Sequence, residues 1–316
     1  MTASERHISR PRGRLPDGAA NPQVNGGIGG VDVQDVFHVL STSPTAGRAA
    51  RLLRLQDRLG DRDLIVLHAL AALRWMTGHQ LQRLVFATGS PHTQGLRTRR
   101  CLLRLHRLGL LARVERHVGG PRGGSTSYTY RLSGEGQRLV GTRPNRPSRV
   151  LGARDHALAV SEVAVTLHEA HRTGTLELVR FEAEPVCWRS FTIDGSRRYL
   201  RPDAFVILAV GEWERLWFIE LDRGTQPAST ICRKTHAYTA YTTTGQEQAR
   251  WGVFPRVAFL TLDPPRRDAL GRAISRALAR PVADTPDTDA LVTVAQLSDT
   301  IPILAGQDPN PNRSTP

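Results

Sequence analysis

Three carboxylates, Asp203, Glu220 and Asp222, stand where a strand would bury them. Asp203 follows Pro202 and opens the apolar run Ala204-Phe205-Val206-Ile207-Leu208, a composition suited to a central strand covered on both faces. Glu220 and Asp222 close the run that starts at Trp217; two residues apart on a strand, they point to one face. Like charges set side by side repel unless a cation lies between them. If the strand of Asp203 pairs alongside, the three acids supply hard oxygen ligands for Mg²⁺ or Mn²⁺ and for metal-assisted phosphodiester chemistry. Lys234 follows twelve residues after Asp222, the single lysine in a chain with 42 arginines. Its compact ammonium suits polarising a metal-bound water better than a guanidinium does. The structural alternative has Asp222 capping the turn Arg223-Gly224-Thr225, with Glu220 or Asp203 paired to an arginine.

A second constellation lies upstream, between Pro91 and Leu111. At helical spacing Thr98, Cys101, Leu102 and Leu105 make an apolar seam, and Arg97, Arg100, Arg104 and Arg107 share the opposite arc. Guanidinium forks suit phosphates and guanine edges, so this row reads as a DNA-reading face, the alternative being a solvated charged surface. Arg97 and Arg100, nearest the helix start, are placed to read bases, and Arg104 and Arg107 to contact phosphates.

The whole chain carries a net charge of +14. Residues 48–149 hold 20 arginines against 5 acids, while residues 1–47 balance and residues 150–316 hold 19 basic against 20 acidic side chains. Such a net charge points to a polyanionic partner, nucleic acid or an acidic membrane surface. The excess is confined to the window around the basic helix, which favours double-stranded DNA, and no strongly amphipathic anchor marks a membrane surface. Cys101, Cys187 and Cys232 are odd in number and too far apart for a zinc knuckle, which suits a reducing cytoplasm. No leader-like apolar segment opens the chain and no run is long enough for a membrane span, so a cytoplasmic protein without membrane contact is expected.

These residues need elements to position them. Residues 1–47, rich in Gly, Pro and Ser, read as a mostly disordered lead-in, with a helical pattern over 47–59. Asp61 or Asp63 is placed to cap a helix burying Leu64, Leu67, Leu70 and Ala71. Trp75-Met76 is extended, and Thr77 and Gln80 form a capping box for a helix burying Leu81, Leu84 and Val85. Ser90 and Pro91 then start the basic helix, and Gly109 stops it. Strands over 111–118 and 125–132 flank a glycine-rich tip that carries Arg122, a further DNA contact, and Ser133 caps a short helix to Val140. Helix-turn-helix plus hairpin is a winged helix, spanning residues 48–143. A Pro-containing linker covers 144–150, and a second domain covers 151–305, ahead of a disordered tail over 306–316. The second domain reads as a helix over 155–171, strands over 176–181, 199–210 and 214–222, a helix over 225–241, a strand over 256–262, a helix over 265–280 and a strand over 291–294. Its fold class is α/β or α+β, helices covering a mixed sheet.

Several chemistries lack their motifs. There is no Gly-x-Ser-x-Gly, no phosphate-binding Walker loop and no dinucleotide fingerprint ahead of a helix, which removes serine hydrolase, NTPase and nicotinamide-dependent readings. No His-x-His cluster of the kind used by tyrosine relaxases is present, and Tyr238 and Tyr241 read as packing residues. His156 reads as a cap or surface contact.

With these pieces in place, the chain resembles the replication-relaxation family of actinobacterial plasmids and integrative elements. The resemblance runs from about Asp61 to Leu297. It is carried by Leu105-His106-Arg107-Leu108-Gly109-Leu110-Leu111, Tyr130-Arg131-Leu132-Ser133, the helix at His156, and Glu220-Leu221-Asp222-Arg223-Gly224-Thr225 followed by Lys234. It implies a winged helix joined to a PD-(D/E)xK, restriction-endonuclease-like domain, making the fold α+β overall. Carried across, Pro202-Asp203 supplies the first metal-binding acid and Glu220 the second. Asp222 departs from the motif's lysine, and Lys234 substitutes from the following helix. The expected function is DNA processing in replication, relaxation or mobilisation, with metal-dependent nicking by Asp203, Glu220, Asp222 and Lys234. The alternative is a non-catalytic winged-helix replication or transcription regulator with an inactive nuclease-like domain. A homodimer and replication or conjugation proteins stay open as partners.

Overall fold

A computed structural model of the chain describes residues 9–12, 55, 57–116, 127–142, 151–224, 226–279 and 291–306. Most of the expected helix over 47–59, the hairpin tip with Arg122, the linker 144–150, and most of the lead-in and tail lie outside the described residues. Element order is mixed α+β. The chain divides into two compact units, Gly30–Val165, and Met1–Gly29 together with Thr166–Pro316. The division falls after Val165, inside the helix that begins at Leu151.

The first described element, β1 (Ser9–Pro11), belongs to the later unit and pairs with a strand two hundred residues on. Within Gly30–Val165 the chain forms α1 (Asp61–Leu73), β2 (Met76–Thr77), α2 (Gly78–Val85), α3 (Pro91–Arg107), β3 (Leu111–Arg116), β4 (Ser127–Leu132) and α4 (Gly134–Leu139). Strands run β2-β4-β3, antiparallel throughout. Thr77 and Gln80 satisfy each other's backbone N–H groups, 3.0 and 2.9 Å, as the capping-box spacing requires. Ser90 caps α3 with Pro91 in its first turn, and Ser133 caps α4. Gly109 adopts φ 77°, the left-handed turn that ends α3.

Two local expectations are corrected. Neither Asp61 nor Asp63 caps α1: Gly60 holds that position, and the Asp63 carboxylate reaches back to accept from Gly60 N at 2.9 Å. The buried side of α1 is Val66, Leu67, Ala69, Leu70 and Leu73, while Leu64 and Ala71 are only half-buried, as are Leu84 and Val85 on α2.

α5 (Leu151–Arg172) buries Val160, Val163, Ala164 and Leu167 as its periodicity requires. The later unit then adds β5 (Glu177–Ala183), β6 (Arg189–Ile193), β7 (Ser196–Leu200), β8 (Ala204–Val210), β9 (Trp213–Asp222), α6 (Ala228–Thr242), α7 (Gln246–Trp251), β10 (Arg256–Thr261), α8 (Pro264–Leu278), β11 (Val292–Gln296) and α9 (Thr300–Leu304). Its sheet runs β11-β10-β9-β8-β5. The β5, β8 and β9 strands form an antiparallel meander, and β10 and β11 continue parallel to β9. β1 pairs with residues 213–215 of β9 and β10 with residues 217–222. β8 is buried from Ala204 to Ala209, and aromatic packing of Phe205, Phe218, Tyr238 and Trp251 fills one face of the sheet.

The continuous strand expected over 199–210 is two strands. Ser196–Leu200 belongs to a separate hairpin with β6, and Arg201-Pro202-Asp203 breaks the run before β8. Proline has no N–H to give a ladder, and its predecessor is held extended, so the chain changes partner there.

Candidate functional sites: a basic helix and an acid–lysine cluster

α3 has the two-sided character its spacing requires. Thr98, Cys101, Leu102 and Leu105 are its buried residues. Each fully buried leucine contributes about 1.5–3 kcal/mol to holding the helix against its unit. Arg97, Arg99, Arg100 and Arg107 are exposed and have no acidic partner among the described residues. Arg104 differs from the rest of its row: its guanidinium pairs with the buried Asp63 and donates to the Arg58 carbonyl at 3.1 Å. Asp63 also accepts from the Cys101 thiol at 3.2 Å, and burial followed by that hydrogen bond pushes the thiol up to about 12. Arg104 therefore ties α3 to α1, and the unpaired part of the row is Arg97, Arg100 and Arg107, with Arg99 exposed outside that arc.

In the other unit the acids gather at the end of the β8–β9 ladder. Ala204 lies opposite Ile219, so Asp203, one residue before β8, comes beside Glu220. Asp203 N donates to the Ile219 carbonyl at 2.9 Å, and its Oδ2 accepts from Leu221 N at 2.7 Å. Glu220, 2% exposed, receives Lys234 Nζ on Oε2 at 2.5 Å and the Tyr238 hydroxyl on Oε1 at 2.7 Å. Lys234 and Tyr238 are four residues apart on α6 and share its sheet-facing side. Burial pushes the Glu220 carboxyl up to about 7; Asp203 adds to the rise, and the Lys234 ammonium opposes it. For Lys234 burial works against the charge, but Glu220 and Asp203 outweigh it and hold the ammonium above its ordinary value. The ammonium keeps a partly exposed path to water and the carboxylate does not.

Asp222 is engaged elsewhere. Its Oδ1 accepts from Gly224 N at 2.7 Å, with Gly224 at φ 83°, and its Oδ2 accepts from Arg266 on α8, Nε at 2.9 Å and Nη2 at 2.5 Å. The turn-capping alternative holds for Asp222, whereas Glu220 pairs with the lysine rather than with an arginine. The three-carboxylate metal set expected from spacing is not assembled: among the described residues no three His, Cys, Asp or Glu side chains stand together to hold an ion. What the structure brings together is Asp203, Glu220 and Lys234. Asp203 and Glu220 are carboxylates of the type through which Mg²⁺ is bound with substrate phosphates completing its shell, but here both Glu220 oxygens accept hydrogen bonds from Lys234 and Tyr238.

Tyr238 and Arg266 were not legible as site residues. Tyr238 is fully buried, as a packing residue should be, yet its hydroxyl is aimed at Glu220; its position one helical turn after Lys234 is the signal that could have found it. Arg266 is one arginine among many and lies 44 residues from Asp222, so nothing in the sequence marks it. Tyr241 donates to the buried Glu247, which is also held by Arg189, and His156 is half-buried.

A family model described as replication-relaxation matches residues 67–257, more than half of the chain. No curated protein matches it. Among solved structures, that of the restriction endonuclease FokI aligns at 11% identity with a TM-score of 0.25, over 85% of this chain and 47% of that one. The present chain thus corresponds to about half the length of that enzyme. No helix among the described residues is long and apolar enough to cross a membrane.

Proposed function

The chain belongs to the replication-relaxation family, and from that premise we propose that it is a two-part DNA-processing protein of a plasmid or mobile element, nicking one strand of duplex DNA. Helices α1 to α3 and the β2-β4-β3 sheet of Gly30–Val165 support a winged-helix reading. In this reading α3 enters a major groove, with Arg97 and Arg100 at the base edges and Arg107 on phosphate. The later unit serves as the nuclease-like part. Asp203, just before β8, lies beside Glu220 on β9, which supports reading the two as the paired acids of a PD-(D/E)xK-like site. The observation that carries the reading is that Lys234 reaches Glu220 from α6 while Asp222, which stands in the motif's lysine position, is occupied by Arg266.

Asp203 and Glu220 would hold Mg²⁺ or Mn²⁺, and the ion would supply charge neutralisation at the scissile phosphate and an acidified water. Lys234 keeps a cation beside the developing phosphate charge, and Tyr238 fixes the orientation of Glu220. Arg266 orders the turn after β9 through Asp222. Supercoiled plasmid incubated with the full chain and Mg²⁺ should yield the nicked circle, and Asp203→Asn and Glu220→Gln should lose that product while retaining duplex binding.

A second reading draws on a specific feature. Both Glu220 oxygens are taken by Lys234 and Tyr238, a closed network that would also suit a structural, non-catalytic unit in a DNA-binding regulator. That reading gives duplex binding with no nicked product in the wild-type chain.

A further inference from the structure

The β6–β7 hairpin takes no part in the function proposed above, and its surface has its own pattern. It forms a two-stranded sheet separate from the main one. Two large aromatics are exposed on it and at its base, Tyr199 at 52% and Trp188 at 38%. Guanidinium groups alternate with them: Arg197 lies over the Tyr199 ring at 5.4 Å, and Arg201 lies over both Tyr199 at 5.7 Å and Trp188 at 5.0 Å. Arg197, Arg198 and Arg201 are exposed and have no acidic partner among the described residues. Arg198 and Tyr199 also line a cleft of about 520 Å³ whose other wall, on α6, presents Arg233 and His236. The hairpin leads directly toward the acids, since Arg201 is two residues before Asp203, and α6 is the helix that carries Lys234.

Alternating cations and flat apolar faces match one polymer chemistry. A duplex hides its base faces in the stack, whereas an unpaired strand offers a ring and a phosphate in turn. An acidic peptide would satisfy the charge but leave the exposed rings without flat partners. We infer that the β6–β7 hairpin and its cleft bind single-stranded DNA, bases stacking on Tyr199 and Trp188 and phosphates lying against Arg197, Arg198, Arg201 and Arg233. The choice of DNA over RNA rests on the proposed nicking function; the single-strand chemistry itself does not.

The test uses the full chain and fluorescence anisotropy with a labelled oligothymidylate of about 20 nucleotides, a duplex of equal length, and the corresponding RNA strand. Replacing both rings, Trp188→Ala with Tyr199→Ala, should weaken oligothymidylate binding by at least about tenfold and leave duplex affinity within about twofold, because stacking is lost while α3 is untouched. Trp188→Phe with Tyr199→Phe keeps the π faces and should bind the strand as the wild type does. Oligothymidylate should also quench the fluorescence of Trp188, the exposed tryptophan. Failure of the wild type to bind the strand, an unchanged affinity in the alanine pair, equal losses for strand and duplex, or tighter binding of the RNA strand would each overturn the inference. Absence of nicking in a chain that still binds the strand in this way counts against the catalytic proposal alone.

Discussion

The four arginines of the α3 row make different predictions. Arg97, Arg100 and Arg107 are exposed and without acidic partners among the described residues, and in the proposed docking Arg97 and Arg100 face base edges while Arg107 lies on phosphate and displaces one condensed counterion. A phosphate contact contributes about 0.9 to the slope of log affinity against log salt, so Arg107→Ala should flatten the slope by about that much, whereas Arg97→Ala with Arg100→Ala should chiefly relax the base preference. Arg104 is held by the buried Asp63 and the Arg58 carbonyl. Arg104→Ala should leave the slope within about 0.5 of the wild type while costing about 1–3 kcal/mol of stability, toward the lower end because the arginine itself is half exposed. Anisotropy titrations with a duplex over a series of salt concentrations, paired with urea melts of each variant, read both quantities. An unchanged slope in Arg107→Ala together with an unchanged base preference in the Arg97→Ala, Arg100→Ala pair would refute the assignment of α3 to DNA. A flattened slope with unchanged stability in Arg104→Ala would refute the division of the row.

Other perturbations have equally definite outcomes. Arg266→Ala removes the partner of a buried carboxylate and should cost about 3 kcal/mol in denaturant melts, and Asp222→Asn with Arg266→Gln should recover part of that; a silent Arg266→Ala would show that Asp222 is held by its turn alone. A Cβ on Gly136 would come within 2.2 Å of the Leu110 carbonyl, which is backbone and cannot move aside cheaply, so Gly136→Ala should lower the stability of the Gly30–Val165 unit by more than about 2 kcal/mol. His168 is held down to about 4 by burial, with Arg172 and His171 adding, and its Nε2 has no hydrogen-bond partner. Its folded value lies below its unfolded one, so the unfolded chain takes up the proton first and stability falls as pH drops from 6.5 toward 4, by up to about 1.4 kcal/mol per unit. His168→Leu should make stability less dependent on pH across that window, and an identical pH profile would sink the account.

Elements set by local periodicity and capping were legible in the sequence. The seam of α3, the Thr77–Gln80 box and the buried run of β8 are each written within a few residues, and each is present. What escaped depends on partners distant along the chain. β1 is three residues long with no alternation to mark it, and it exists because β9 extends past β10 and Glu214 there receives the Arg10 guanidinium at 2.6 Å. The 199–210 run looked continuous because Leu200 and Ala204 are both apolar; Pro202 between them is the residue that separates hairpin from sheet. At the site, Asp203 and Glu220 followed from strand alternation and pairing, and Lys234 from its rarity. The diversion of Asp222 did not, since either of two roles fits an acid at a strand end and the choice is made by Arg266 on another helix.

The central claim is that the lysine of this site comes from α6 rather than from the strand position after Glu220. Single-turnover nicking of supercoiled plasmid by Lys234→Met, with Mg²⁺ and saturating protein, tests it most directly. The account predicts a loss of at least about a hundredfold relative to the wild type, with duplex affinity retained. A rate within about twofold of the wild type would contradict it.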